Sequence, residues 1–279
     1  MPLLLLVSFI WAFSFGLIKR LTGLDGAFIA AARLGLALLV FAPFLRLRGL
    51  SVRAGLGLAG LGAVQFGLMY LAYNESFRYL QSYEIALFTL TTPILVTLLA
   101  DALDRVWHGR ALLAALLSVA ACLVVRPVAL GGTVRGILLV QLSNLAFAFG
   151  QVAYRRWRRG RPAVRERDVF GLLYAGAFAV TLPVSLYRTD FARLPLTPGR
   201  IGILLYLGFA ASGLGFFLWN RGATRVNAGT LAVFNNVKIP LGIACSLLVF
   251  GESADLPRLA AAAAVMVLAL WLAEPRSAA

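Results

Sequence analysis

One lysine and two asparagines interrupt an apolar segment in the last quarter of this sequence. The segment reads LAVFNNVKIP, residues 231–240, and contains Asn235, Asn236 and Lys238. Asn235 and Lys238 are three residues apart, a spacing that puts both side chains on one face of a helix. A lysine at the centre of a membrane helix costs about 2.5 to 3.5 kcal/mol on insertion scales. The pattern therefore predicts that Lys238 binds an anion, most simply a carboxylate, with the two asparagines as co-ligands.

Arg33 is the other basic residue inside an apolar segment, and the other 24 of the 26 lysines and arginines lie in predicted loops or termini. No Asp or Glu lies deep in any apolar segment to pair with these two cations. A structural alternative stays open for each of them. Lys238 can bond backbone carbonyls that Pro240 leaves free. Arg33 lies closer to a membrane interface that its side chain can reach, which favours the structural role there.

Three amide side chains form a stripe on another apolar segment. Gln141 and Asn144 are three residues apart, and Gln151 follows seven residues later on the same helical face. Amides can join membrane helices at about 0.6 kcal/mol each. Three in register, together with the asparagines near Lys238, instead favour a polar site between the two segments.

Aromatic residues supply candidate walls for such a site. Trp11, Tyr70 and Phe88 lie within apolar segments and are predicted to contact a partly apolar ligand. Trp219 and Tyr73 lie near the ends of their segments, where aromatic residues are typical of the membrane interface. We therefore predict an interfacial position for these two.

The elements that carry these residues are predicted to be membrane helices. Hydrophobic residues make up 61% of the 279 residues and charged residues 13%, against about 45–50% and 25% in soluble domains. A helix needs about 20 apolar residues to cross the hydrocarbon core. Segments close to this length predict an all-α polytopic membrane protein with ten transmembrane helices. They are residues 2–19, 27–46, 54–74, 83–102, 110–126, 134–155, 168–187, 200–220, 227–249 and 256–273.

The two halves of the chain contain similar motifs. The sequence WAFSFG at 11–16 matches LAFAFG at 145–150, and Pro93 matches Pro240. These matches predict a five-helix repeat at 1–127 and a second at 134–275. Because five is odd, the second repeat enters the membrane from the opposite side, an arrangement typical of secondary transporters with a site at the repeat interface. Pro93 and Pro240 are candidate hinges for alternating access, and static kinks are the alternative.

Basic residues in the loops predict the orientation. By our helix boundaries the N-terminal side carries 15 lysines and arginines and the other side 9. Both termini are therefore predicted to be cytoplasmic. The prediction depends on the loop at 155–167, which contains seven arginines. Contact with lipid headgroups explains the basic loops better than nucleic-acid binding does.

The sequence does not favour an enzyme. His108 is the only histidine, and the cysteines and acidic residues show no metal-binding spacing. No glycine-rich phosphate-binding loop is present, so no ATPase, cofactor, metal or catalytic residue is predicted. A scaffold or receptor is the other alternative, and a flux assay in liposomes separates it from a transporter.

The chain resembles the EamA-type members of the drug/metabolite transporter superfamily. The segments LLVSFIWAFSF at 5–15, LLVQLSNLAFAFGQVAY at 138–154 and SGLGFFLWNRGATRVNAGTLAVFNN at 212–236 carry the resemblance. Within the superfamily it is similar to the carboxylate/amino acid/amine transporter group, and more narrowly to its proteobacterial biotin transporter branch. This resemblance implies uptake of biotin across the inner membrane by a single chain without an ATPase subunit.

Biotin is consistent with the candidate residues. Lys238 would hold the carboxylate, and Asn235, Asn144 and Gln141 would contact the ureido group. Trp11 and Tyr70 would flank the thiophane ring. The alternative is export of amino acids, including aromatic ones, or related metabolites, which other EamA-type proteins perform.

Overall fold

The computed structural model describes residues 1–80, 82–125, 133–250 and 256–274. Every regular element in these ranges is helical, as expected where the backbone has no water to bond. We number the helices α1 to α10 and divide α4 into α4a and α4b. Their bounds are Pro2–Ile18, Gly26–Phe41, Val52–Ser76, Ser82–Thr89 (α4a), Thr92–Asp104 (α4b), Gly109–Val125, Val134–Arg159, Glu166–Arg188, Pro198–Ala223, Ala228–Phe250 and Leu256–Ala273.

Six described helices are long and apolar enough to cross a membrane by length and composition. They are α2 with the turn that follows it, α3, α6, α7, α8 and α10. The apolar parts of α1 and α5, Pro2–Ser14 and Gly109–Leu123, are shorter. The chain is therefore an all-α polytopic membrane protein.

Three helices, α3, α4 and α8, depart from regular α-helical geometry. The predicted single span 83–102 is broken at Leu90 and Thr91, and Pro93 lies in the first turn of α4b. A proline fits there because the first turn has no intrahelical partner for its nitrogen. Helices α3 and α8 each contain a π-helical segment, Ala63–Leu68 and Tyr206–Leu214.

The helices pack in pairs that recur when α1–α5 are exchanged with α6–α10. Helix α2 packs on α7, α4b on α9, and α5 on α10. Further contacts form matched sets, with α1 on α8 and α6 on α3, α1 on α9 and α6 on α4b, and α2 on α8 and α7 on α3. Helix α5 also packs on α9, and among the described residues α10 and α4b make no comparable contact. Two copies of one unit would give this pattern, although the repeat boundaries at 1–127 and 134–275 stay a prediction. Residues 126, 127 and 275 lie outside the described ranges.

Glycines hold α3 directly against α7. A Cβ atom at Gly62 would overlap the backbone carbonyl of Leu173, and one at Gly176 would overlap that of Ala59. Small residues allow such close approach of membrane helices. The contact fixes α3, which carries Tyr70, against the body of the protein.

Candidate binding site

Five aromatic side chains from four helices form a continuous cluster, which we call the aromatic cluster. The ring centre of Trp11 lies 4.8 Å from that of Trp219 and 5.5 Å from that of Phe216. Phe216 in turn lies 5.8 Å from Tyr70 and 5.9 Å from Phe147. These separations are typical of stabilising aromatic pairs. The cluster joins α1, α3, α6 and α8 and provides an apolar wall between the two halves of the chain.

Lys238 of α9 lies beside this cluster. Its Nζ atom is 5.5 Å from the centre of the Trp11 ring, a distance typical of a cation–π contact. Within the described ranges, no carboxylate oxygen lies within 4.0 Å of Nζ. The ring face attracts the ammonium but does not neutralise it. Lys238 can therefore bind an anion that reaches the aromatic cluster.

Arg33 of α2 lies at another side of the cluster and is 6% exposed. Its Cζ atom is 4.4 Å from the centre of the Tyr70 ring, and its Nε donates a hydrogen bond of 3.0 Å to Ser212 Oγ. The Tyr70 hydroxyl also lies 3.1 Å from Ser212 Oγ. The nine ion pairs among described residues do not include Arg33. The structure therefore places Arg33 within the protein, whereas the sequence favoured a structural role near a membrane interface.

The π-helical segment of α8 positions both sides of the site. Its Ala211 carbonyl accepts a 2.9 Å hydrogen bond from Trp11 Nε1, and the next residue is Ser212. The Tyr174 hydroxyl donates to the carbonyls of Ser212 and Gly213, at 2.9 and 2.6 Å. A π-helical turn shifts the register of backbone bonding and is frequent at functional sites. Here Trp11 and Arg33 form hydrogen bonds with two neighbouring residues of this segment, Ala211 and Ser212.

Gln151 and Asn235 form hydrogen bonds to each other, so these amide groups are not free to bind a ligand. Gln151 Nε2 donates to Asn235 Oδ1 at 3.2 Å, and Asn235 Nδ2 donates to Gln151 Oε1 at 3.1 Å. Trp219 Nε1 adds a 2.9 Å bond to Gln151 Oε1. All three side chains are at most 1% exposed. This network joins α6, α8 and α9 behind the aromatic cluster. Trp219 does not face lipid, as a residue of an aromatic belt would, because packing against α1 and α6 buries it.

The other predicted amides form hydrogen bonds with residues at the break in α4. The Phe88 carbonyl accepts bonds from Asn144 Nδ2 at 2.8 Å and Gln141 Nε2 at 3.2 Å, and Thr91 Oγ1 donates to Gln141 Oε1 at 2.8 Å. On the other side, Asn236 Nδ2 donates to the Leu90 carbonyl at 3.2 Å. The break frees carbonyls that would be costly to leave unbonded in an apolar interior. These amides compensate for the break.

The surroundings of Phe88 and Pro240 differ from those expected from the sequence. The Phe88 side chain packs in a small apolar cluster with Leu80, Ile85 and Val140, so that its carbonyl is the part near the polar residues. Pro240 lies inside the continuous helix α9, unlike Pro93 beside the break in α4. The roles of both prolines as hinges stay predictions.

Ser212, Phe147 and Phe216 belong to the candidate site but were not predicted from the sequence. Phe147 lies in LAFAFG, the motif that repeats the segment containing Trp11. In that alignment Trp11 corresponds to Leu145 and Phe147 to Phe13, so the repeat did not identify Phe147 as a partner of Trp11. Ser212 lies among glycines in an apolar helix and gave no signal. In the part of the chain that the structure describes, no group of His, Cys, Asp and Glu could hold a metal ion.

Comparison with known proteins gives consistent matches. The family model of the EamA-like transporter family matches residues 1–126 and 134–273. The probable biotin transporter of Pseudomonas aeruginosa is 44% identical over 276 residues, which cover 98% of this chain and 96% of that protein. The biotin transporter of Escherichia coli strain K12 is 38% identical over 277 residues, 98% of this chain and 92% of that protein.

A protein of known crystal structure has the same fold. It superposes with a TM-score of 0.80 at 19% sequence identity, over 98% of this chain and 96% of that one. At this identity the match concerns the arrangement of the helices alone.

Proposed function

Because this chain belongs to the EamA-like transporter family, we propose that it carries biotin into the cell across the bacterial inner membrane. Two of its near full-length relatives are named as a biotin transporter and a probable biotin transporter. The observation that carries the proposal is Lys238, a half-buried lysine whose ammonium lies 5.5 Å from the Trp11 ring with no carboxylate partner among the described residues. A substrate that brings one carboxylate and an apolar body completes this site.

The chemistry of biotin matches the two parts of the site. Its carboxylate pairs with Lys238 in an environment of low dielectric constant, where such a pair is stronger than in water. Its valerate arm and thiophane ring pack on Trp11, Tyr70 and Phe216. An amino acid would also bring an ammonium group next to Lys238 and Arg33, and these two cations disfavour the alternative of amino acid export.

The transport cycle that we propose is alternating access by two inverted five-helix repeats, with both termini in the cytoplasm. The matched packing of helix pairs supports two copies of one unit. The break at Pro93 and the helix-internal Pro240 are the proposed hinges. We infer that the chain works without cofactor, ATPase subunit or nucleic acid, with membrane lipid and the substrate as its partners.

Uptake of labelled biotin tests the proposal. The gene would be expressed in a biotin-auxotrophic host that lacks its own biotin transporter, and uptake would be compared with an empty-vector strain. Growth and label accumulation at low external biotin are expected only with the gene. If biotin is not accumulated while export of a labelled aromatic amino acid rises, the exporter alternative is correct.

A further inference from the structure

Arg33 is a buried cation that the carboxylate–Lys238 pairing does not use. A guanidinium has five N–H donors in a fixed plane. In the described structure Nε bonds to Ser212 Oγ, and Tyr70 stacks on the guanidinium. The Nη groups bond to no acceptor among the described residues, so their donors are available to a ligand. Because neither Nη atom is fully enclosed by the protein, a ligand can reach these donors.

Arg33 and Lys238 belong to one continuous site. From Lys238 Nζ, successive steps to the rings of Trp11, Phe216 and Tyr70 and then to Arg33 Cζ measure 5.5, 5.5, 5.8 and 4.4 Å. The α8 backbone provides a second connection, since Trp11 bonds to Ala211 and Arg33 to the adjacent Ser212. The two cations are therefore connected through one set of contacting side chains.

The two cations suit different groups. Lys238 carries a compact charge on a flexible stem, which suits a carboxylate at the end of a flexible arm. Arg33 presents a planar fork whose orientation is fixed by Ser212 and by stacking on Tyr70, which suits a planar acceptor. The amides that we predicted for the ureido group, Gln141, Asn144 and Asn235, already bond to protein groups.

We propose that Arg33 is a second anchoring residue of this site and that its Nη groups bind the ureido carbonyl oxygen of biotin while Lys238 binds the carboxylate. This inference rests on the proposed function. Ser212 and Tyr70 are positioning residues, because they hold the guanidinium plane. The site then selects molecules with an acceptor at both ends and an apolar body between them.

Competition by biotin analogues in proteoliposomes tests each end of the ligand separately. 2-Iminobiotin keeps the carboxylate and replaces the ureido oxygen by a protonated imino group, which Arg33 would repel. Biotin methyl ester keeps the ureido group and loses the carboxylate charge. Against labelled biotin, we expect each analogue to inhibit wild-type uptake at least about tenfold less well than unlabelled biotin.

Matched variants assign the two ends. In Arg33→Met, 2-iminobiotin should inhibit uptake only about twofold less well than biotin, or equally well, because a donor worth about tenfold has been removed. The weaker inhibition by the methyl ester should be unchanged. Lys238→Met should do the opposite. Ser212→Ala keeps both charges and should reduce only the difference in inhibition between 2-iminobiotin and biotin. If Arg33→Met does not fold, this variant provides the test.

Several results would overturn the inference. They are a wild-type protein that does not discriminate against 2-iminobiotin, an Arg33→Met protein that takes up biotin with unchanged discrimination, and, where Arg33→Met does not fold, unchanged discrimination in Ser212→Ala. Wild-type protein that takes up no biotin would instead contradict the proposed function itself, so the two failures are distinguishable.

Discussion

The ammonium of Lys238 lies over the ring of Trp11, 5.5 Å from its centre. The two residues come from α9 and α1, more than 200 positions apart in the sequence, and Trp11 is itself fixed by its hydrogen bond to Ala211 of α8. A cation–π contact of this kind is worth about 0.5 to 2 kcal/mol. It orients the ammonium beside the aromatic cluster without supplying the negative charge that the proposed substrate brings.

Replacement of Lys238 by alanine should lower biotin uptake. Loss of a charged hydrogen-bonding partner costs about 1.5 to 3 kcal/mol, or about 10- to 150-fold in affinity. Lys238→Arg keeps the charge and should retain part of the uptake. Initial rates at several biotin concentrations, normalised to the amount of protein in the membrane, measure the effect. Uptake by the alanine variant that equals wild type would exclude the carboxylate role.

The contact between α3 and α7 should not tolerate a methyl group at Gly62. Gly62→Ala places Cβ against the Leu173 carbonyl, and separating two packed helices should cost about 1 to 3 kcal/mol. Gly60→Ala is the matched control, because no heavy atom lies within 4 Å of its added Cβ and alanine favours helix by up to about 1 kcal/mol. The thermal unfolding midpoint in detergent should fall for Gly62→Ala and not for Gly60→Ala. Equal midpoints for the two variants would contradict this packing.

The bond between Gln151 and Asn235 should appear as a coupling energy. Gln151→Leu, Asn235→Leu and the double variant form a double-mutant cycle in the free energy of unfolding. We expect a coupling of about 0.6 to 1.7 kcal/mol, the range measured for polar contacts between membrane helices. Gln141→Leu combined with Asn235→Leu is the control pair, and its effects should add because the two side chains share no partner. Equal coupling in both pairs would show that the effect is not specific to the bond.

The proposed orientation predicts labelling from opposite sides of the membrane. Ala163→Cys and Ala192→Cys are two exposed alanine positions, in the arginine-rich loop and in the connection between α7 and α8. In a background without Cys122 and Cys245, a membrane-impermeant maleimide added to intact cells should label position 192 and not position 163. Inverted membrane vesicles should give the reverse result. Labelling of position 163 in intact cells would reverse the proposed topology.

Much of the fold follows from the sequence because a membrane leaves few choices. A backbone in hydrocarbon must bond to itself, so long apolar segments become helices whatever their neighbours are. The embedded cations were recognisable for the same reason, since a charge in an apolar segment is costly and therefore informative. The break in α4 was only partly predictable. Pro93 indicated an irregularity there, but not that the helix would be interrupted at Leu90 and Thr91.

The sequence by itself thus determined the all-helical membrane class and the position of Lys238 and the asparagines within one membrane helix, and it predicted an aromatic site. Only the tertiary structure decided which polar side chains remain available to a ligand. Helical periodicity places Gln151, Asn235 and Asn144 on faces of their helices, but their partners come from other helices. Those partners include each other, Trp219 and a carbonyl at the break in α4. The same packing brings Arg33 onto Tyr70 and Ser212, because hydrogen bonds between helices depend on distances that the spacing of residues in one segment does not contain.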